Sequence, residues 1–232
     1  MEVLTLGHRG VRGKLENTVP AFKRALRWAD GVEMDVRVAV DGKLVVHHDG
    51  GFWSNGNYYL VSELTFKDLK RLHPLGKLVP SVKEVIRSVS GFFDFDVKEP
   101  EAVEPLLSLV EKNSLFASSV FSADNPDIVK KLISECPDCR VGFSITGYSN
   151  AIVLPTLRGL YSVHVPIDAV SYVGFRNLVA ILRTARKRGL KIFLWNYRMD
   201  ELTWVPRFLP FVDAVISDDP ARLRKAFMND AY

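Results

Sequence analysis

Glu33 and Asp35 stand two positions apart in the stretch GVEMDVRVAVDGKLVVHHD, residues 31–49. The residues around them read as a β-strand, in which alternate side chains share a face. Both carboxylates therefore point one way, and Val32, Met34 and Val36 point the other. Asp41-Gly42 lies between two β-rich runs and predicts a hairpin turn. Folded there, residues 45–48 return alongside residues 33–36 and bring His47 or His48 level with the acids. Unpaired charges buried on a strand face cost several kcal/mol, so two carboxylates and an imidazole at one point read as a site. A plainer reading of the same stretch is a solvated edge hairpin carrying surface acids.

A third acid comes from FFDFDVK, residues 92–98, where Asp94, Asp96 and Lys98 alternate with Phe93, Phe95 and Val97. Glu33, Asp35 and Asp96 together offer hard oxygen ligands of the kind that suit Mg²⁺ or Ca²⁺. Without a cation the three would repel, and one would hold a proton. The alternative for Asp96 is a simple ion pair with Lys98. Arg9 and Lys98 add fixed positive charge; arginine grips a phosphate through two parallel hydrogen bonds and lysine acts as a point charge. His8 and His48 offer two imidazoles, the side chain most often used as a general acid or base. Phosphodiester cleavage needs both, one to take a proton from the attacking oxygen and one to protonate the departing alcohol.

These residues have to be positioned by strands. The apolar run at 3–6 ends in Gly7-His8-Arg9-Gly10, and further strands are expected at 43–48, 92–98, 116–121, 140–145, 160–165, 191–195 and 212–216. Helices are expected at 19–29, 64–72, 81–88, 100–111, 126–135, 150–157, 175–188, around 200–205, and from Pro220 to Met228. Thr18 or Asn17, Thr65 and Ser81 are candidate N-caps, and Gly189 closes the longest helix. GGFWSNGNYY, residues 50–59, reads as an irregular loop.

Strand–helix alternation of this kind argues for a parallel sheet wrapped in helices. Eight such strands close a (β/α)8 TIM barrel, and the tight turn before residues 43–48 makes that segment an extra hairpin strand at the rim. An open doubly wound sheet would want a GxGxxG loop after the first strand, which Gly7-His8-Arg9-Gly10 lacks. In a barrel the site lies at the C-terminal ends of the strands. His8, Arg9, Glu33, Asp35, Asp96, Lys98, Ser122, Trp195, Asn196, Ser217 and Asp218 all fall there.

With 232 residues, the chain fits one barrel domain spanning 1–232 with no large insertion. Hydrophobic residues make up 47% and the formal charge is +4, an ordinary globular balance that suits an anionic small molecule. The basic residues are scattered, which argues against a nucleic-acid partner. No apolar run is long enough for a membrane anchor, and the N-terminus does not resemble a signal peptide, so a cytoplasmic location is expected. A homo-oligomer is compatible with the sequence, which does not specify one. Cys136 and Cys139 form a lone CxxC, read as a structural thiol pair or local disulfide, because a zinc site needs about two more ligands nearby.

Gly7-His8-Arg9-Gly10, Glu16-Asn17-Thr18, Val32-Glu33-Met34-Asp35-Val36, Asp41-Gly42, Val45-Val46-His47-His48-Asp49 and Asp96-Val97-Lys98 together resemble the glycerophosphodiester phosphodiesterases. The likeness continues through residues 64–72 and 80–86, Trp195-Asn196, and residues 212–220. It implies a barrel of the phospholipase C-like phosphodiesterase type that turns glycerophosphodiesters into sn-glycerol phosphate and an alcohol. It implies a divalent metal (Mg²⁺, Mn²⁺ or Ca²⁺) on Glu33, Asp35 and Asp96, with His8 and His48 as the acid–base pair acting through a cyclic phosphate. His48 is the implied histidine because it directly precedes Asp49. By the same resemblance Arg9 and Lys98 contact substrate, Glu16 orients Arg9 or His8, Asn17 supports the site, and Trp195 packs on the glycerol. Three departures stand out. Asp96 replaces the usual Glu, although sphingomyelinase-like relatives are similar in using Asp. Gly50-Gly51-Phe52-Trp53 replaces a Pro-Thr-Leu run, and the insertion common there is missing. Two rivals remain, a phospholipase D-like or C-like enzyme acting at membranes through an exposed apolar rim, and a non-catalytic phosphate-binding barrel.

Overall fold

The structure, a computed structural model, describes residues 3–229. In chain order its strands are β1 (Leu4–Gly7), β2 (Gly31–Val38), β3 (Leu44–Val46), β4 (Gly51–Ser54), β5 (Asn57–Leu60), β6 (Phe92–Val97), β7 (Ser119–Ala123), β8 (Val141–Ser144), β9 (Ser162–Pro166), β10 (Lys191–Trp195) and β11 (Ala214–Ser217). The main sheet runs β1-β11-β10-β9-β8-β7-β6-β2, and β2 bonds back to β1, so eight parallel strands close into a barrel. The antiparallel strand β3 lies outside the ring, with Val36 opposite Val46 and Val38 opposite Leu44. This is the expected (β/α)8 barrel with one extra hairpin strand.

Local chemistry sets the helix starts. Thr18 Oγ1 accepts from the Ala21 N–H and Pro20 occupies the first turn of Val19–Ala25. Ser81 and Glu84 form a reciprocal capping box. Helices Val103–Lys112 and Pro126–Glu135 pack an apolar face on β6 and β7, where Phe93, Phe95 and Val97 meet Val103, Leu106 and Ile128. A second outer layer, including Leu178, Leu182, Ile192 and Val205, covers the β9–β11 side. Leu6, Val120, Phe193, Ala214 and Ile216 also cluster. Val120 of β7 meets the neighbouring strands β1, β11 and β10 from across the ring, so these side chains form the plug of the barrel interior. The alternation along β6 thus sends Phe93, Phe95 and Val97 outward and Asp94 and Asp96 inward, with Phe92 on the interior side.

Several boundaries differ from the sequence reading. Residues 50–59 are no loop: β4 and β5 pair antiparallel, joined at Asn55-Gly56, whose φ angles of 48° and 78° make the turn. Phe52 and Tyr59 pack inward with Val45, Val61 and Leu69, while Trp53 and Tyr58 are left outside. The strand expected at 116–121 begins only at Ser119, because Phe116–Ser118 is a 3₁₀ turn, with the Ser118 and Ser119 hydroxyls donating to the Leu115 carbonyl. The helix expected at 150–157 shrinks to one turn, Tyr148–Ala151, and a 3₁₀ turn, Leu154–Thr156, since Pro155 supplies no N–H to continue it. The first helix stops at Ala25 rather than near Ala29. Cys136 and Cys139 are disulfide-bonded at the end of Pro126–Glu135. No helix among the described residues is long and apolar enough to cross a membrane.

Candidate active site

The turn after β1 folds on itself. The Gly10 N–H donates to the Gly7 carbonyl at 3.0 Å, with Arg9 at φ 51° and Gly10 at φ 80°. A Cβ on Gly7 would fall 2.2 Å from the Gly10 carbonyl oxygen, so only glycine permits this closure. The result is that His8 and Arg9 are held at the barrel mouth, where the Arg9 N–H donates to Glu33 Oε2 at 2.8 Å. Glu33 and Asp35 arrive from β2, Asp96 and Lys98 from the end of β6, Trp195 from the end of β10. His48 follows β3, whose pairing with β2 continues through the His47 N–H to the Asp35 carbonyl at 3.1 Å. His8, Arg9, Glu33, Asp35, His48, Asp96, Lys98 and Trp195 line one cavity of about 360 Å³.

Of the two histidines the sequence left open, His48 joins the cavity. The His47 ring turns away: its Nε2 lies 3.2 Å from His73 Nε2 and its Nδ1 lies 2.7 Å from the Asp49 carbonyl oxygen. Glu16 orients Arg9, through Oε1 to Nη1 at 2.6 Å, rather than His8. Asn17 does not cap the helix. Its Nδ2 donates to Asp35 Oδ2 at 2.7 Å.

One oxygen each from Glu33, Asp35 and Asp96 lies within 4.8 Å of the others. Burial pushes the Glu33 carboxyl well up, and the neighbouring Asp35 charge adds to this. Burial works against Asp35 too, but Lys98 and Arg9 hold it well below the usual carboxylate range. Lys98 Nζ sits 2.8 Å from Asp35 Oδ1 and 2.6 Å from Asp96 Oδ2, so the expected Asp96–Lys98 pair exists and is shared with Asp35. Burial opposes the Lys98 charge, yet Asp96 and Asp35 keep it firmly on. Asp96 Oδ1 is buried without a partner. A hard-oxygen set, an unfilled acceptor and a glutamate that strains to stay ionised fit a divalent cation better than protein groups alone.

Beneath this cluster lies a layer in which the sequence places Asp94 on the shared face of its strand and Ser122 at a strand end, but does not reveal His164 or the contacts among the three. Asp94, fully buried, accepts from Ser122 Oγ at 2.7 Å, and its Oδ2 lies 3.4 Å from His164 Nδ1. Burial drives the Asp94 carboxyl well up and His164 down to about 3, so burial favours the neutral form of each. Asp218 was visible only as one polar residue at a strand end. It reaches His8, Oδ1 to Nδ1 at 2.6 Å. Asp124, Thr146 and Tyr197 complete the opposite wall. No local signal distinguishes them from ordinary loop residues.

Chemically, the mouth combines an acid cluster able to hold a cation, two basic side chains and two imidazoles, the parts needed to bind and cleave a phosphodiester. Residues 8–222 match the model of the glycerophosphoryl diester phosphodiesterase family. A glycerophosphodiester phosphodiesterase of Caldanaerobacter subterraneus subsp. tengcongensis is 28% identical over 96% of this chain and 97% of its own length. The crystal structure of a glycerophosphodiester phosphodiesterase from Thermotoga maritima is 30% identical, with a TM-score of 0.80 over 97% of this chain and 98% of that one. An Oleispira antarctica phosphodiesterase, solved in complex with the product sn-glycerol-3-phosphate, shares the fold at 18% identity and a TM-score of 0.78 over 97% and 96% of the two chains. With its barrel, its cavity and its matched span in agreement, the chain belongs to the glycerophosphoryl diester phosphodiesterase family and to that class of phosphoric diester hydrolases.

Proposed function

We propose that this chain, acting as a single catalytic domain, hydrolyses glycerophosphodiesters to sn-glycerol phosphate and an alcohol by histidine acid–base catalysis. The observation that carries this reading is the meeting of His8, His48 and the three acids in one cavity. His8 is the base. Its Nδ1–H faces the Asp218 carboxylate, which leaves the Nε2 lone pair for substrate. Nε2 takes the proton of the glycerol 2-hydroxyl, that oxygen bonds to phosphorus, and the bond from phosphorus to the alcohol oxygen breaks. His48 gives that oxygen its proton. Water then opens the cyclic phosphate with the proton transfers reversed. Arg9 and Lys98 offset the phosphate charge, and Trp195, which lines the cavity, packs on the glycerol. Held by Glu33, Asp35 and Asp96, a divalent ion (Mg²⁺, Mn²⁺ or Ca²⁺) would act as a Lewis acid on a phosphoryl oxygen. Product-bound Oleispira antarctica phosphodiesterase, with the same fold, supports a glycerol phosphate product.

The test is turnover of glycerophosphocholine, glycerophosphoethanolamine and bis(p-nitrophenyl) phosphate, with and without chelator. Activity that chelator removes and Mg²⁺, Mn²⁺ or Ca²⁺ restores is expected; full activity in excess chelator would end the metal assignment.

One observation favours a second reading, action at a lipid surface. Trp53 and Tyr58 form an exposed aromatic pair on the outer face of the β4–β5 hairpin, and Tyr148 and Tyr172 stand exposed on the short helical turns that follow β8 and β9. Tryptophan and tyrosine suit a membrane–water boundary. Flotation with liposomes separates the two readings. A chain that stays with the soluble fraction acts on free glycerophosphodiesters.

A further inference from the structure

Glu201 is a buried carboxylate that the acid–base reading leaves unused. It is the first residue of the helix Glu201–Phe208, on the segment following β10, and is 8% exposed. Both of its oxygens go to the two residues that follow one another at the end of β11. Oε2 accepts from the Ser217 hydroxyl at 2.5 Å, and Oε1 accepts from the Asp218 N–H at 2.7 Å. The Ser217 hydroxyl in turn accepts from the Asp219 N–H at 3.2 Å. A group placed to start a helix would serve its own helix amides. This one reaches across to a neighbouring strand end instead.

That strand end carries the partner of His8. The Ser217 carbonyl accepts from the His8 N–H at 2.8 Å, and the Asp218 carbonyl accepts from the Arg12 N–H at 3.1 Å. The Asp218 side chain meets His8 Nδ1 at 2.6 Å through Oδ1 and Arg12 Nη1 at 3.3 Å through Oδ2. The peptide at 217–218 is thus gripped from the β1 side by backbone bonds and from the other side by Glu201 alone. Rotating it by a few tens of degrees would swing the Asp218 carboxylate off Nδ1.

We infer that Glu201 is a positioning residue for His8: it fixes the Ser217–Asp218 peptide so that Asp218 holds the imidazole with its proton on Nδ1 and its lone pair on Nε2, toward the cavity. The inference rests on the reading of His8 as the base. A hydrogen bond at one ring nitrogen selects the tautomer at the other, and the outer partners that orient metal-bound histidines, the nearest measured case, are worth 10- to 100-fold.

The test uses the full chain labelled with ¹⁵N-histidine. Wild-type His8, in its neutral form, should show Nδ1 protonated and Nε2 bare. In Glu201→Ala the two forms should mix, kcat on glycerophosphocholine should fall about tenfold and KM should stay within about twofold. Glu201→Gln keeps an acceptor for the Asp218 N–H and should recover most of kcat and the single tautomer. If Glu201→Ala does not fold, Glu201→Asp, one methylene short, takes its place with the same expectation. A folded variant with an unchanged His8 tautomer and wild-type kcat overturns the inference, and so does a loss confined to KM. If wild-type turnover is itself absent, the functional reading fails, while the tautomer still decides what Glu201 does to His8.

Discussion

Two histidine–aspartate pairs flank the cavity, and they are nearly identical as contacts and unlike as surroundings. His8 Nδ1 meets Asp218 Oδ1 at 2.6 Å; His48 Nδ1 meets Asp49 Oδ1 at 2.7 Å. The His8 side chain is 9% exposed and its partner comes from the far end of the chain, held by Glu201 and Arg12. The His48 side chain is 41% exposed, its partner is the next residue, and that carboxylate is 73% exposed. What fixes His48 is backbone: Arg37 donates to its carbonyl through Nε at 3.0 Å and Nη2 at 2.8 Å. A charge-assisted bond out of water is worth a few kcal/mol, and the same bond in water is worth between nothing and about one. In the proposed mechanism the first pair would therefore set a tautomer, whereas the second would leave an imidazole open to proton exchange with water. That division suits a base that must be aimed and an acid that must be reloaded.

The comparison makes graded predictions. His8→Ala and His48→Ala should each lower kcat by about 10³-fold or more with folding intact, measured beside a thermal melt, since general acid and base terms reach 10²–10⁴ each. Equal losses leave both pairs essential; a mild His48 loss would reassign the acid. The aspartates should then separate. Asp218→Asn turns a donor toward Nδ1 and should cost about 100-fold in kcat. Asp49→Asn should cost less than about fivefold, the equivalent of about 1 kcal/mol for an exposed pair. Similar losses at the two positions would erase the distinction between them. Arg37→Ala should fall in between, at about tenfold, because it frees the His48 carbonyl and leaves the His8 tautomer untouched.

The same contrast explains what could be read from the sequence. Glu33, Asp35, Asp96 and Lys98 were legible because strand periodicity fixes which side chains share a face, and that rule holds inside one short segment. The His48 side was legible for a similar reason: its turn, its strand and its aspartate are neighbours in the chain. The Asp218–His8 contact spans 210 positions and exists only because β11 pairs with β1 to close the ring. Closure is a property of the whole sheet, so Ser217 and Asp218 could be assigned to the rim but not to a partner. Glu201 looked like any acid at a helix start. The Asp94–Ser122–His164 floor was hidden likewise, since β9 meets β6 and β7 only across the barrel interior. The β4–β5 hairpin was a different kind of miss. Asn55-Gly56 is a hairpin signal, but the aromatic and glycine residues around it outweighed the alternation of Phe52 and Trp53 with Tyr58 and Tyr59.

The smallest effect tests the dynamics behind the contrast. His73 accepts from the Leu75 N–H at Nδ1, 3.0 Å, so its own proton is on Nε2 and points at His47 Nε2. His47 must then donate through Nδ1 to the Asp49 carbonyl. A further proton on either ring breaks this chain, which ties the helix Phe66–Leu72 to the residue beside His48. Burial, helped by the neighbouring His47, lowers His73 from 6.5 to about 4. Between those values the unfolded chain binds a proton that the folded chain refuses. The stabilisation is therefore complete above about pH 6.5 and is lost as pH falls toward 4, a change of about 1 kcal/mol once the half-exposed ring is discounted for solvent. Hydrogen exchange, corrected for its intrinsic pH dependence, should show β3, β4 and β5 opening more at pH 5 than at pH 7 while β1 and β11 hold. His73→Leu should flatten that difference. If the amides near His48 and those near His8 respond alike, the exposed arm is as rigid as the buried one, and the greater tolerance expected at Asp49 loses its physical basis.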